Sequence, residues 1–224
     1  MAEAVLKGRA LVQAREVARV HEITKVLKRE YPEARCSLDF RTPFELICAT
    51  ILSAQCTDER VNRVTPALFE KYPDATAMAR AKLADLEKLV RTTGFFRAKA
   101  LSLKTCAQSL VKLHAGEVPR TMDELVKLRG VGRKTANVVL GNVFGVPGLP
   151  VDTHVGRLAR RLGLSKFQDP VRVEADLMEL VPSGDWTIFS LLLIYHGRAI
   201  CTARRASCED CPLAKFCPKI GVPN

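Results

Sequence analysis

Leu128-Arg129-Gly130-Val131-Gly132-Arg133-Lys134-Thr135-Ala136 joins two helical segments through a Gly-x-Gly turn. Upstream, Thr121 and Glu124 have the spacing of a capping box, in which each residue satisfies an orphan amide at a helix start. The helix they open is short and ends at Leu128-Arg129-Gly130, and a second helix begins after Gly132 and runs to about Phe144. Glycine allows both the tight turn and the close approach of another backbone. A helix N-terminus leaves amide N–H groups without intrahelical partners, and such donors suit a phosphate oxygen. A contact of that kind positions a nucleic acid without reading its sequence. Arg133 adds charge beside it. A bare Gly-x-Gly is equally a tight helix–helix turn; the capped flanking helix and the basic character of the chain favour phosphate binding.

That basic character is marked. Lys and Arg number 35 against 24 Asp and Glu, a formal net charge of +11. The field of such a surplus draws polyanions, of which nucleic acid is the commonest.

Outward from the hairpin the helical signals continue to both ends. Residues from about Leu11 to Glu30 form an amphipathic pattern closed by Pro32. Thr42-Pro43-Phe44-Glu45 combines an N-cap, a proline at the first helical position and a glutamate at the third, before an apolar run to Ala54. Thr57-Asp58 caps a helix that Pro66 is expected to interrupt. Further helices are expected from about Lys82 to Val90 and from Phe96 to His114, the second ending near Gly116. Pro147, Gly148 and Pro150 break the chain. Asp152 opens a helix ending near Gly163, Asp169-Pro170 opens another, and the apolar segment from Asp185 to Tyr195 reads as a core helix. No strand pattern competes. The chain is therefore expected to be all-α, with roughly ten or more helices.

No stretch approaches the roughly 20 apolar residues of a membrane helix. The N-terminus lacks a signal-peptide core, so a cytoplasmic, nucleoid-associated location is expected. In that compartment the eight cysteines are packed thiols or metal ligands rather than a disulfide framework. Cys36, Cys48, Cys56 and Cys106 sit in or beside helical patterns and read as packed thiols. Cys201, Cys208, Cys211 and Cys217, with six, two and five residues between them, lie in a polar, turn-rich segment. Thiolates bind both zinc and iron–sulfur clusters, and the spacing alone leaves both open.

Two residues carry candidate chemistry. Lys134 lies in the first turn of the helix after the hairpin, where the dipole disfavours an ammonium and favours the nucleophilic neutral amine. Alone, a lysine there is more often a charge contact than a nucleophile. Asp152, in Pro150-Val151-Asp152-Thr153-His154, has the position of an N-cap, a role compatible with catalysis. The intervening helix of roughly 12 residues spans about 18 Å, so the Pro-rich return must bring Asp152 back toward the hairpin.

Gly130-Val131-Gly132-Arg133-Lys134-Thr135-Ala136-Asn137-Val138-Val139, followed by Val151-Asp152-Thr153-His154, closely resembles the bacterial endonuclease III family. This is the bifunctional branch of the helix-hairpin-helix DNA glycosylases. The specific motifs extend from Thr42-Pro43-Phe44-Glu45 to Cys217, and only about the first twenty residues lie outside the resemblance.

The resemblance implies a two-domain, all-α glycosylase fold. Residues 36–147 would form a helical barrel domain with the hairpin, and residues 1–35 with 148–224 an iron–sulfur domain, DNA lying in the cleft between them. It implies a base-excision-repair glycosylase with abasic-site lyase activity on double-stranded DNA carrying oxidised pyrimidines or abasic sites. Lys134 would be the nucleophile and Asp152 its partner carboxylate. Cys201, Cys208, Cys211 and Cys217 would hold a [4Fe–4S] cluster, shaping a loop whose Arg204 and Arg205 grip phosphates.

Further DNA contacts follow from the same likeness. Gly130, Gly132 and Arg133 would hold the backbone. Gln55, in Leu52-Ser53-Ala54-Gln55-Cys56-Thr57-Asp58, would fill the gap left by the extruded base. Phe95 would be the opposing wedge, where the family often has an aliphatic residue, with core burial as the other reading. His154 would lie near DNA or the Asp152 cap. The protein is expected to act as a monomer without a membrane partner. The nearest alternative is the adenine-specific monofunctional branch, which lacks the lysine and carries a further C-terminal domain; a chain running seven residues past Cys217 is not expected to have one. The others are a non-catalytic DNA-binding module and an iron–sulfur redox protein.

Overall fold

The structure, a computed structural model, describes residues 2–222, with side chains from residue 11 onward. Among these residues it is helical without a strand, apart from one isolated antiparallel bridge between Cys201 and Ala206. The α-helices are α1 (Ala2–Glu30), α2 (Pro43–Leu52), α3 (Asp58–Lys71), α4 (Ala75–Arg80), α5 (Leu83–Val90), α6 (Phe96–His114), α7 (Met122–Leu125), α8 (Arg133–Val143), α9 (Thr153–Arg161), α10 (Pro170–Leu180) and α11 (Trp186–Ala199). They divide into two compact units, residues 36–146 and residues 1–35 with 147–224.

In the first unit α2 is the central element, with every residue from Phe44 to Leu52 buried. Its start is set locally. Thr42 Oγ1 accepts from the Glu45 amide at 3.1 Å, and Pro43 occupies the first turn. The Glu45 carboxylate turns back to accept from the Arg41 amide at 2.6 Å and pairs with the Arg41 guanidinium at 2.8 Å. Caps of this kind are worth about 1 kcal/mol each, and Thr57, Asp74, Thr121 and Asp169 supply others. Around α2 pack α3, α6 and α8.

Two expectations are corrected here. Pro66 does not interrupt its helix: α3 runs unbroken through it. The proline lies on the exposed side, while Val61, Thr65, Leu68 and Phe69 bury the other face. Each large apolar side chain so buried contributes about 1.5–3 kcal/mol, which outweighs the roughly 3 kcal/mol cost of an internal proline. The short helix α4, capped by Asp74 Oδ1 accepting from the Ala77 amide at 2.7 Å, has too few residues to show a period and was not expected.

In the second unit α1 packs against α10 and α11 through Val20, Ile23 and Leu27, one face of a helix with no exposed surface. Helix α1 starts at Ala2, well before the expected Leu11. α9 and α11 pack against each other, with Leu158, Phe189, Leu192 and Leu193 at most 1% exposed. Among the described residues no helix is long and apolar enough to cross a membrane.

Candidate active site

The hairpin sits on α2 and α6. Gly130 has φ +82°, and a Cβ there would stand 3.1 Å from Ser102 Cβ and 3.4 Å from Ile51 Cγ1. Glycine is thus demanded twice, by the left-handed backbone and by the close approach. Gly132 differs. It is the N-cap of α8 with φ −91°, no side chain caps that helix, and a Cβ at Gly132 would meet nothing within 4 Å. The turn is closed by the Val131 amide donating to Leu128 O at 3.1 Å, and α8 begins with the Ala136 amide donating to Gly132 O at 2.9 Å. Arg133 and Lys134 occupy the first turn of α8 and are exposed.

Gln55 and Phe95 are exposed residues of the same unit, and both have left-handed backbones, φ 52° and 48°. Such conformations cost non-glycine residues about 1–3 kcal/mol and persist where the surroundings impose them. Phe95 is 68% exposed, which removes the core reading. Its loop is held from below. Lys99, buried and in the first turns of α6, donates from Nζ to Thr93 O at 2.7 Å, and buried Thr93 donates from Oγ1 to Val90 O at 2.8 Å. Burial pushes the Lys99 ammonium down from its ordinary range.

In the second unit Asp152 caps α9. Its Oδ1 accepts from the His154 amide at 2.8 Å and the Val155 amide at 2.9 Å. Capping therefore occupies one carboxylate oxygen, so cap and chemical partner are compatible roles. His154 is half-buried, its Nδ1 stands 3.1 Å from Arg157 Nη2, and burial pushes its imidazole down. Arg157 also donates to Gly197 O at 2.9 Å and Cys201 O at 3.0 Å. A Cβ on Gly197 would lie 2.9 Å from Arg157 Nη2, 3.1 Å from His154 Nδ1 and 3.1 Å from Leu158 Cδ1. Gly197→Ala is therefore expected to displace this group and cost about 1–3 kcal/mol, read as a lowered thermal midpoint. An unchanged midpoint would show that α9 and α11 can part without penalty.

The four late cysteines converge. Cys201, Cys208, Cys211 and Cys217 line one pocket, partly open to solvent, together with Arg161, His196 and Leu213. Among the described residues no three His, Cys, Asp or Glu side chains gather closely enough to hold a single metal ion. Buried Arg161 organises the loop. It donates to Cys201 Sγ at 3.1 Å, Thr202 O at 2.7 Å and Ala203 O at 3.2 Å. Its own carbonyl accepts from the Ile220 amide at 3.2 Å. Arg204 and Arg205 are exposed on this loop, and the Arg205 amide donates to Thr202 Oγ1 at 3.1 Å. Cys48 and Cys106 are buried, and Cys36 and Cys56 pack half-buried against the core of the other unit.

Sequence reasoning missed Arg157 and Arg161. The available signal was two arginines four residues apart, and so on one face, of a capped helix. A buried guanidinium must find several acceptors, and here the cysteine loop supplies them. The His196 carbonyl accepts from the Cys201 amide at 3.0 Å, and its ring faces Cys211, Nε2 standing 3.4 Å from Sγ.

Residues 48–183 match the family described as HhH-GPD superfamily base excision DNA repair protein. Endonuclease III of Synechocystis sp. is 56% identical over 201 residues, which cover 89% of this chain and 92% of that protein. Endonuclease III of Bacillus subtilis is 46% identical over 188 residues, 84% of this chain and 86% of that protein. A solved structure of a trapped endonuclease III–DNA covalent intermediate superposes with a TM-score of 0.86 at 42% identity, covering 91% of this chain and 96% of that one. The fold and the sequence thus agree over nearly the whole length: the chain belongs to the endonuclease III family of the HhH-GPD superfamily of base excision DNA repair proteins.

Proposed function

We propose that the chain is a base-excision-repair DNA glycosylase with abasic-site lyase activity, and that oxidised or ring-saturated pyrimidines in duplex DNA are its substrates. The observation that carries the reading is an exposed lysine in the first turn of α8, directly after a glycine hairpin whose N-cap bears no side chain. The open space at Gly132 lets a phosphate approach the amides of that turn. DNA held there brings its sugar to the Lys134 amine.

Chemistry then follows from the residues. The Lys134 nitrogen lone pair attacks C1′ of a nucleotide turned out of the stack. The bond from C1′ to the damaged base breaks, its electron pair leaving with the base, which takes up a proton. The sugar ring opens to a Schiff base, and loss of a proton from C2′ expels the 3′ phosphate by β-elimination. Asp152 assists formation of the nucleophile and stabilises positive charge on the sugar. Gln55 and Phe95 fill and wedge the opened duplex. Arg133, His154, Arg204 and Arg205 add contacts to the phosphate backbone.

The four cysteines are proposed to hold a [4Fe–4S] cluster, with a structural role: it pins the loop carrying Arg204 and Arg205. The donor set fits. Four thiols line one pocket, and Arg161 supplies a donor to a cysteine sulfur, as charged thiolates require. Metal analysis of the purified protein is expected to give about four irons per chain without stoichiometric zinc; zinc in place of iron overturns this part. In the same proposal residues 36–147 form the barrel domain, the remainder forms the cluster domain, and the protein works as a monomer in the cytoplasm.

Incision assays test the function. Duplexes containing thymine glycol and duplexes containing an intact abasic site are both expected to be cut. Cutting only the abasic duplex reduces the protein to a lyase, and binding without cutting reduces it to a DNA-binding module.

A further inference from the structure

His196 is 2% exposed and lies in α11 with both ring nitrogens engaged. Nδ1 stands 3.0 Å from the Tyr31 hydroxyl, just past the end of α1, and Nε2 stands 3.4 Å from Cys211 Sγ. The Tyr31 ring also meets the His196 ring edge-on, centroids 6.0 Å apart. Three segments thus meet in one hydrogen-bonded row, Tyr31 standing 165 residues from His196. It plays no part in the chemistry assigned to Lys134 and Asp152.

We propose that His196 and Tyr31 are positioning residues for the cluster: the Nε2–H of His196 donates to the Cys211 thiolate, and the Tyr31 hydroxyl locks the ring in that tautomer. The inference rests on the reading that Cys211 binds the cluster. A metal-bound thiolate carries no proton and can only accept. The neutral ring must then place its proton on Nε2, leaving Nδ1 as an acceptor. Only the hydroxyl proton of Tyr31 can fill that acceptor from this side, so the row has one direction, Tyr31 to His196 to Cys211. A free thiol imposes no such direction, since it can donate to Nε2 and reverse the row. Cluster loading therefore sets the hydrogen bonding between α1 and α11. Outer partners of this kind orient a ligand and are worth about 10- to 100-fold in metal retention.

The test uses the iron-loaded full chain and compares wild type with Tyr31→Phe, His196→Gln and His196→Leu. Iron release to a chelator is followed by the loss of the cluster's visible absorption, and the midpoint potential of the cluster is measured by film voltammetry. His196→Leu is expected to release iron about 10- to 100-fold faster and to move the potential to more negative values, because an N–H donor to sulfur favours the more negative reduced cluster. His196→Gln keeps an N–H donor and is expected to lie nearer wild type. Tyr31→Phe, which removes only the hydroxyl, is expected to shift both readouts in the same sense by less, and it serves if His196→Leu does not fold. Wild-type release rates in Tyr31→Phe and His196→Leu alike overturn the proposal. So does a lowered thermal midpoint with an unmoved potential, the mark of mere packing. Wild-type protein without iron overturns the cluster reading itself, a failure the metal analysis separates from the others.

Discussion

Lys134→Ala is expected to abolish the borohydride-trapped protein–DNA adduct and to slow strand scission by on the order of 10³-fold or more, because the covalent intermediate loses its nitrogen. The change is otherwise mild. Lys134 is exposed, alanine is the best helix former, and an exposed helix site of this kind shifts stability by only about 0.5 kcal/mol. Binding to a duplex with an uncleavable abasic analogue is expected to stay within a few-fold of wild type, since the principal phosphate contacts are proposed for the hairpin backbone. The informative measurement is the trapped yield at saturating DNA in a single turnover. An alanine variant that traps at the wild-type yield would show that another amine is the nucleophile and would remove Lys134 from the mechanism.

Asp152→Asn is expected to be the second largest loss, about 10²- to 10³-fold in single-turnover base release, the scale on which a group stabilising transition-state charge acts. It separates the cap from the proposed catalytic role of the same side chain. Asn caps a helix as well as Asp, and its carbonyl oxygen can accept from the His154 and Val155 amides as Asp152 Oδ1 does at 2.8 and 2.9 Å. The thermal midpoint of the Asn variant is therefore expected to change little. Asp152→Ala loses the cap as well and is expected to be destabilised by about 1 kcal/mol more. Asn at the wild-type rate would leave Asp152 a cap and nothing else. Equal thermal losses in Asn and Ala would show that the charge, and not the hydrogen bonds, stabilises the start of α9.

The local chemistry of helix ends made much of the fold readable. Thr42 with Pro43 and Glu45, Thr121 with Glu124, Asp152 and Asp169 each announce a helix start, and each accepts the capping bond its side chain suggests. A cap acts within one turn, so its signal survives in a short window of sequence. Pro66 misled because its cost is local while the packing that outweighs it is not: Val61, Leu68 and Phe69 find their partners on other helices. Phe95 was ambiguous for the same reason. Its exposure depends on the loop that Lys99 holds from below, six residues from the Thr93 carbonyl it binds.

The sequence by itself determined the helical class, the glycine turn with its adjacent lysine, the aspartate at a helix start and the four late cysteines. These rest on interactions within a few residues and on spacing. Only the tertiary structure decided what surrounds them. It seats Gly130 against Ser102 and Ile51, packs Gly197 against the His154–Arg157 pair, brings Arg161 to Cys201 Sγ, and sets His196 between Tyr31 and Cys211. The physical reason is burial. A guanidinium or imidazole removed from water must find its hydrogen-bond partners wherever the packed helices bring them, and those partners lie 15 to 165 residues away.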